Sequence, residues 1–367
     1  MRYDFLDAVR GFAILTITFN HVGDMVARLG FPHLRIPTLT QTDFSSAAEL
    51  FVIVSGFLFG AVYAGNKQPG FDRVFARRCL RRIILLYGAN IGLFLALLLI
   101  VALAPPAIGD ATGFTLVWET KQPVVDLLPR FLTLSYAPFV TDVFVLYIYL
   151  IALTFALESL PVPDWVKLAI SIALFAGFYT LSQRRMQNVV YLGFNPLTWQ
   201  ILFVVPAIIG RRLRNDDALA RLFPPRHAAV LLLIGLALIA LSVLISLGDH
   251  AQLYSLSRIR HAYFQKFGLG VGRLTHAVLV FATLSLLFWW LKPRLPRLVA
   301  VFATVGAVSM PAFLAGALAA YALGTLWYLA GGGFAVYVAA LAAALAAVIA
   351  FAFAWHAFRR SRRPAPT

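Results

Sequence analysis

The most constraining feature of this chain is a series of apolar runs, each about as long as the roughly 20 residues a helix needs to cross a bilayer. They cover residues 6–27, 46–65, 83–104, 138–157, 166–182, 197–213, 228–247, 270–291, 298–323 and 334–357. Ten such runs predict an all-α polytopic helix bundle, and no repeat or long linker divides it. Residues 1–367 therefore read as one transmembrane domain. Composition agrees, since 61% of the residues are hydrophobic and only 13% are charged. Soluble domains carry about a quarter charged residues. A soluble enzyme, a disordered chain and a nucleic-acid module are excluded, so no nucleic-acid partner is expected.

The formal net charge of +16 then has a topological meaning. With ten spans both termini share a side, and that side holds twenty lysines and arginines against ten on the other. Clusters at 73–82, 211–226 and 359–363 dominate the count, which places both termini in the cytoplasm. The first span reads as a retained helix because its flank carries Asp4 and Asp7, Asn20, His21 and Asp24 interrupt its apolar run, and no clean cleavage site follows. A single cysteine, Cys79, excludes an intrachain disulfide and a cysteine metal site, and no metal is expected.

Chemistry concentrates in the first span. Arg10 and His21 are eleven residues apart, which is three helical turns plus about 20°, so both project from one face roughly 16 Å apart. Asp7 and Asp24 extend the same stripe. Ionisable groups within a span face a polar cavity more often than lipid, and the stripe reads as the wall of a pocket crossing much of the bilayer. Glu49, near the non-cytoplasmic end of the second span, is placed to orient His21 if the two helices pack antiparallel. The third span opens on Arg77, Arg78, Arg81 and Arg82. Such a cluster is either topogenic or a site for phosphate oxygens. Gly268-Leu269-Gly270-Val271-Gly272 lacks the spacing and preceding strand of a nucleotide fingerprint.

Together these residues resemble the membrane acyltransferase family 3. Arg10 and His21 match its Arg-X10-His motif. "AAELFVIVSGFLFG" is similar to its second helix and "FARRCLRRIILLY" to the start of its third. Within or beside that group the chain most resembles the OpgC-type succinyltransferases, through the early "RG…NH" pairing, "FVLYIYLIAL", "NPLTWQILFV" and "RLTHAV". This likeness is strongest over residues 2–290. Leu85 stands where many relatives have proline, and Glu49 replaces the commoner aspartate.

The resemblance implies an O-acyltransferase of the bacterial inner membrane. Its donor is acyl-CoA, with succinyl-CoA favoured, and its acceptor a hydroxyl of a periplasmic glucan. No permanently bound cofactor is implied. Arg10, Arg78, Arg81 and Arg82 would hold the donor, and His21 would act as general base with Glu49 orienting it. Asn20, Asn195, Trp199, Gln200, Arg273 and His276 would line the acceptor side, Trp199 offering a stacking face. The rival expectation is a multi-span permease for a polar or glycan-like substrate, because polar residues in spans also mark transport paths.

Overall fold

The computed structural model describes residues 4–42, 44–64, 70–113, 123–138, 140–182, 193–213 and 225–362. Arg2, Lys67, Lys121, Arg184, Arg185, Arg214, Arg221 and Arg363, which entered the charge count, lie outside them. All ten expected spans fall on helices. They are α1 (Asp4–Arg28), α2 (Ala47–Phe59, continued by a π turn over Gly60–Ala64), α3 (Arg73–Leu103), α4 (Asp142–Ser159) and α5 (Asp164–Ser182). Then follow α6 (Ile201–Arg212, preceded by the turn Pro196–Trp199), α7 (Pro225–His250), α8 (Val271–Leu291), α9 (Pro296–Ala307), α10 (Ser309–Leu329) and α11 (Phe334–Ser361). No strand occurs among the described residues.

Seven helices are long and apolar enough to cross a membrane, so the chain is a multi-pass membrane protein: α2 with its π turn, α3, α4, α7, α8, α10 and α11. The other three expected spans, α1, α5 and α6, are helical but fall outside the seven. Helices α3, α7 and α11 bury little of their apolar surface within the protein. Their outward leucines, isoleucines and phenylalanines have a solvent in lipid rather than in water.

Helix α1 is the central column, touching α2, α8, α9, α10 and α11. Small residues set how closely its neighbours approach. Gly11 lies against the backbone of Phe302 and Gly306, and Gly306 against Asp7 and Gly11, with no room for a Cβ on either. Gly316 faces Thr18 and Gly324 faces Met25. Partner numbers rise together, so α9 and α10 run end to end and parallel to α1. A second close pair joins α2 to α6, where Gly56 meets Phe203 and Gly60 meets Ala207. The Gly-x-x-x-Gly spacing lets backbones touch where lipid gives no hydrophobic reason to associate.

One expected span is corrected. Residues 298–323 are not a single helix, since Val308 leaves helical geometry between α9 and α10 (φ −115°, ψ 36°). The cause is Pro311, which has no N–H to give the carbonyl of Ala307. Helix α9 closes instead with Val308 N–H donating to Val305 O (3.2 Å), and α10 restarts with Ala312 N–H donating to Val308 O (3.0 Å). Non-helical backbone at this depth is tolerated only where protein or a cavity surrounds it.

Candidate functional site

A small, partly open cavity lies against that interruption. Arg10 of α1, Phe51 of α2, Arg82 and Leu86 of α3, Tyr147 of α4 and Ser309 of α10 are among its walls. The Arg10 guanidinium stands over the Phe51 ring at 5.2 Å. The Tyr147 hydroxyl donates to the Phe51 carbonyl (2.9 Å), which fixes the ring at the cavity edge. Arg10 Nε is buried without a hydrogen-bond partner. No carboxylate among the described residues pairs with Arg10 or Arg82, and Arg82 acts electrostatically on Arg10. Asp7, one turn earlier on α1, also acts on Arg10 without a direct ion pair, and two converging cations that lack such a pair suit an anion.

The arginine cluster thus divides. Arg82 is half-buried in the cavity wall, whereas Arg78 and Arg81 are exposed. Position decides this: α3 turns residues 75, 79, 82 and 86 inward. The cluster enters α3 through Asp72, whose carboxylate accepts from the N–H groups of Val74 and Phe75 (2.7 and 3.0 Å).

His21 is half-buried, three turns along α1 from Arg10. The charges that bear on it are Lys266 and Arg28. Lys266 also bears on Asp142 and Asp24, and its ammonium lies 4.7 Å from the Phe194 ring centre. Asp142 and Lys266 were not expected in the site: Lys266 counts toward the topological charge, and Asp142 only blurs the start of its span. Asn20, next to His21, is tied to the loop after α1. It donates to Thr40 Oγ1 (2.8 Å) and accepts from Thr38 Oγ1 (2.6 Å). Asp24 accepts from Arg35 (3.1 Å) and Gln41 (3.0 Å) in the same loop.

Glu49 is placed differently from expectation. It is fully buried, yet its partners are Arg273 and Ser46 rather than His21. Oε1 accepts from Arg273 Nε, and Oε2 accepts from the backbone N–H and hydroxyl of Ser46 (2.9 and 2.6 Å). Ser46-x-x-Glu49 is a capping-box sequence, and that local signal explains the reach back. His276 is likewise engaged, Nδ1 with Ser45 Oγ (2.7 Å) and Nε2 with Ser242 Oγ (3.0 Å).

The acceptor-side residues of the α6 region are mostly interior. Trp199 is fully buried and its indole N–H donates to Lys266 O (3.0 Å), so no face is open for stacking. Gln200 is fully buried, donating to Ser171 O and accepting from Ser171 Oγ, both at 2.7 Å. Asn195 caps the Pro196–Trp199 turn through Oδ1, which accepts from Leu197 N–H (3.0 Å). Its Nδ2 is buried without a partner, so Asn195 alone of these three keeps a hydrogen-bonding group available. No cluster of metal-ligating side chains occurs among the described residues.

With this geometry in place, family comparison is decisive. The sequence profile described as OpgC protein matches residues 2–361. The chain belongs to the OpgC family. The match runs well past residue 290, so α9, α10 and most of α11 are family structure rather than hydrophobic filler. OpgC membership gives a coarse role in glucan modification. No curated protein and no solved structure matches the chain.

Proposed function

We propose that this OpgC-family protein is a membrane O-acyltransferase, related to acyltransferase family 3, that moves a succinyl group from cytoplasmic acyl-CoA to a hydroxyl of a periplasmic glucan. The observation that carries the reading is the cavity with Arg10 and Arg82, two cations without a direct ion pair among the described residues, at one end of the helix that bears His21. Donor phosphates bind at Arg10 and Arg82, with exposed Arg78 and Arg81 attracting them from the cytoplasm. His21 takes the proton of the attacking hydroxyl. The hydroxyl oxygen bonds to the thioester carbon, the C–S bond breaks, and the leaving thiolate takes the proton from the imidazolium. Glu49 supports this indirectly by holding Arg273 at the start of α8. Asn195 Nδ2 is a donor for the acceptor.

A permease is the second reading, and the interruption between α9 and α10 is the observation in its favour, since broken helices line transport sites. One assay separates them. Protein purified in detergent is incubated with succinyl-CoA and the glucan, and products are read by mass spectrometry. Transfer by the wild type, lost by about 10²–10⁴-fold in His21→Ala with succinyl-CoA binding retained, is the expected result. A wild type that neither binds succinyl-CoA nor modifies glucan sinks the acyltransferase reading.

A further inference from the structure

Asn90 of α3 is wholly buried, and neither its amide oxygen nor its amide nitrogen has a hydrogen-bond partner. Buried amides are rarely left so, because the lost hydration goes uncompensated. Its surroundings offer no relief: Leu86, Leu93, Phe94 and Leu97 share the buried face of α3. A residue that only filled this space would do better as leucine.

The height of this orphaned amide on α3 bears on its role. Arg82 and Leu86 line the cavity, and Asn90 follows Leu86 by one turn on the same side of α3. It therefore stands about 12 Å beyond Arg82 along the helix. His21 stands about 16 Å beyond Arg10 along α1, which rises from the same side. Asn90 is thus at a height between the phosphate end and the proposed base, with one donor and one acceptor to offer.

Given the donor reading above, on which this inference rests, we propose that Asn90 binds the amide-bearing arm of acyl-CoA, its Nδ2 donating to an arm carbonyl and its Oδ1 accepting from an arm N–H. The arm is the one part of that donor that is uncharged, extended and rich in secondary amides, and it must pass from Arg82 to His21. An orphaned side-chain amide complements a secondary amide on both atoms.

The test uses Asn90→Leu and Asn90→Ala in full-length protein, with two probes: succinyl-CoA, and adenosine 3′,5′-bisphosphate, which keeps the phosphates and lacks the arm. Both variants should bind succinyl-CoA about tenfold more weakly, as expected for hydrogen bonds lost from a buried site. Bisphosphate affinity should be unchanged. Without ligand, at least one variant should melt no lower than wild type, because an unsatisfied polar group has been removed. Wild-type affinity for succinyl-CoA in both variants overturns the proposal. So does a lower melting temperature in both, which would mean that Asn90 satisfies a structural partner such as a buried water. A wild type that binds neither probe overturns the donor reading itself, an outcome distinct from a wild type that binds both and variants that bind equally well.

Discussion

At the scale of single residues, what could be read in advance depended on sequence distance. Arg10 and His21 belong to one helix, so an eleven-residue interval was enough to put them on one face. The partners of Glu49, Gln200 and His276 lie on other helices: Arg273, Ser171 and Ser242. Nothing in one helix's periodicity announces them, and the same is true of the burial of Trp199. Lys167, which reads as a loop cation, is an extreme case: it is buried and paired with Glu158 at 2.9 Å. The division of the arginine cluster gives a residue-scale prediction. Arg82→Lys should raise KM for acyl-CoA by roughly tenfold, because lysine keeps the charge but loses the planar fork. Arg78→Lys and Arg81→Lys, altering exposed side chains, should leave KM within about twofold. Steady-state kinetics on the three purified variants checks this, and equal effects at all three positions would contradict the placement of Arg82 in the cavity wall.

At the scale of elements, hydropathy located every span but not what each helix does at its contacts. The break between α9 and α10 follows from Pro311, yet proline three residues into a helix is as compatible with a new start as with a kink. Only the neighbouring column, α1, distinguishes them. Glycine is similarly ambiguous in sequence: Gly56 and Gly88 look alike as interruptions of apolar helices. Gly56 abuts the Phe203 backbone, while nothing lies within 4 Å of a Cβ on Gly88. Gly56→Leu should therefore force α2 and α6 apart and cost about 1–3 kcal/mol or prevent folding. Gly88→Leu should be neutral or slightly stabilising, since glycine in a helix interior is disfavoured by roughly 0.8–1.0 kcal/mol relative to alanine. Thermal unfolding of both variants in detergent decides it, and a destabilised Gly88→Leu with an intact Gly56→Leu would reverse the assignment of contact and lipid faces.

At the scale of the whole molecule, the open matter is which compartment each end of the bundle faces, and it turns on α9. Twelve residues span only about 18 Å, short of the roughly 30 Å hydrocarbon core. Since α9 and α10 climb α1 in one direction, we count them as a single crossing. The turn at 292–295 and the loop at 331–333 then lie on opposite sides, and the excess of lysine and arginine puts the former in the cytoplasm. In a Cys79→Ser background, the chain's one cysteine is removed and new thiols can be placed at will. Arg294→Cys, on the exposed turn after α8, should resist a membrane-impermeant thiol reagent in intact cells and react after permeabilisation. Gly333→Cys, exposed and free of near neighbours, should react in intact cells. If α9 crossed by itself, both thiols would share a side and label together. If the charge bias misled, the two patterns would exchange, and Arg10 and Arg82 would open toward a compartment without acyl-CoA. Only the first pattern keeps the cationic cavity on the donor side and His21 toward the glucan.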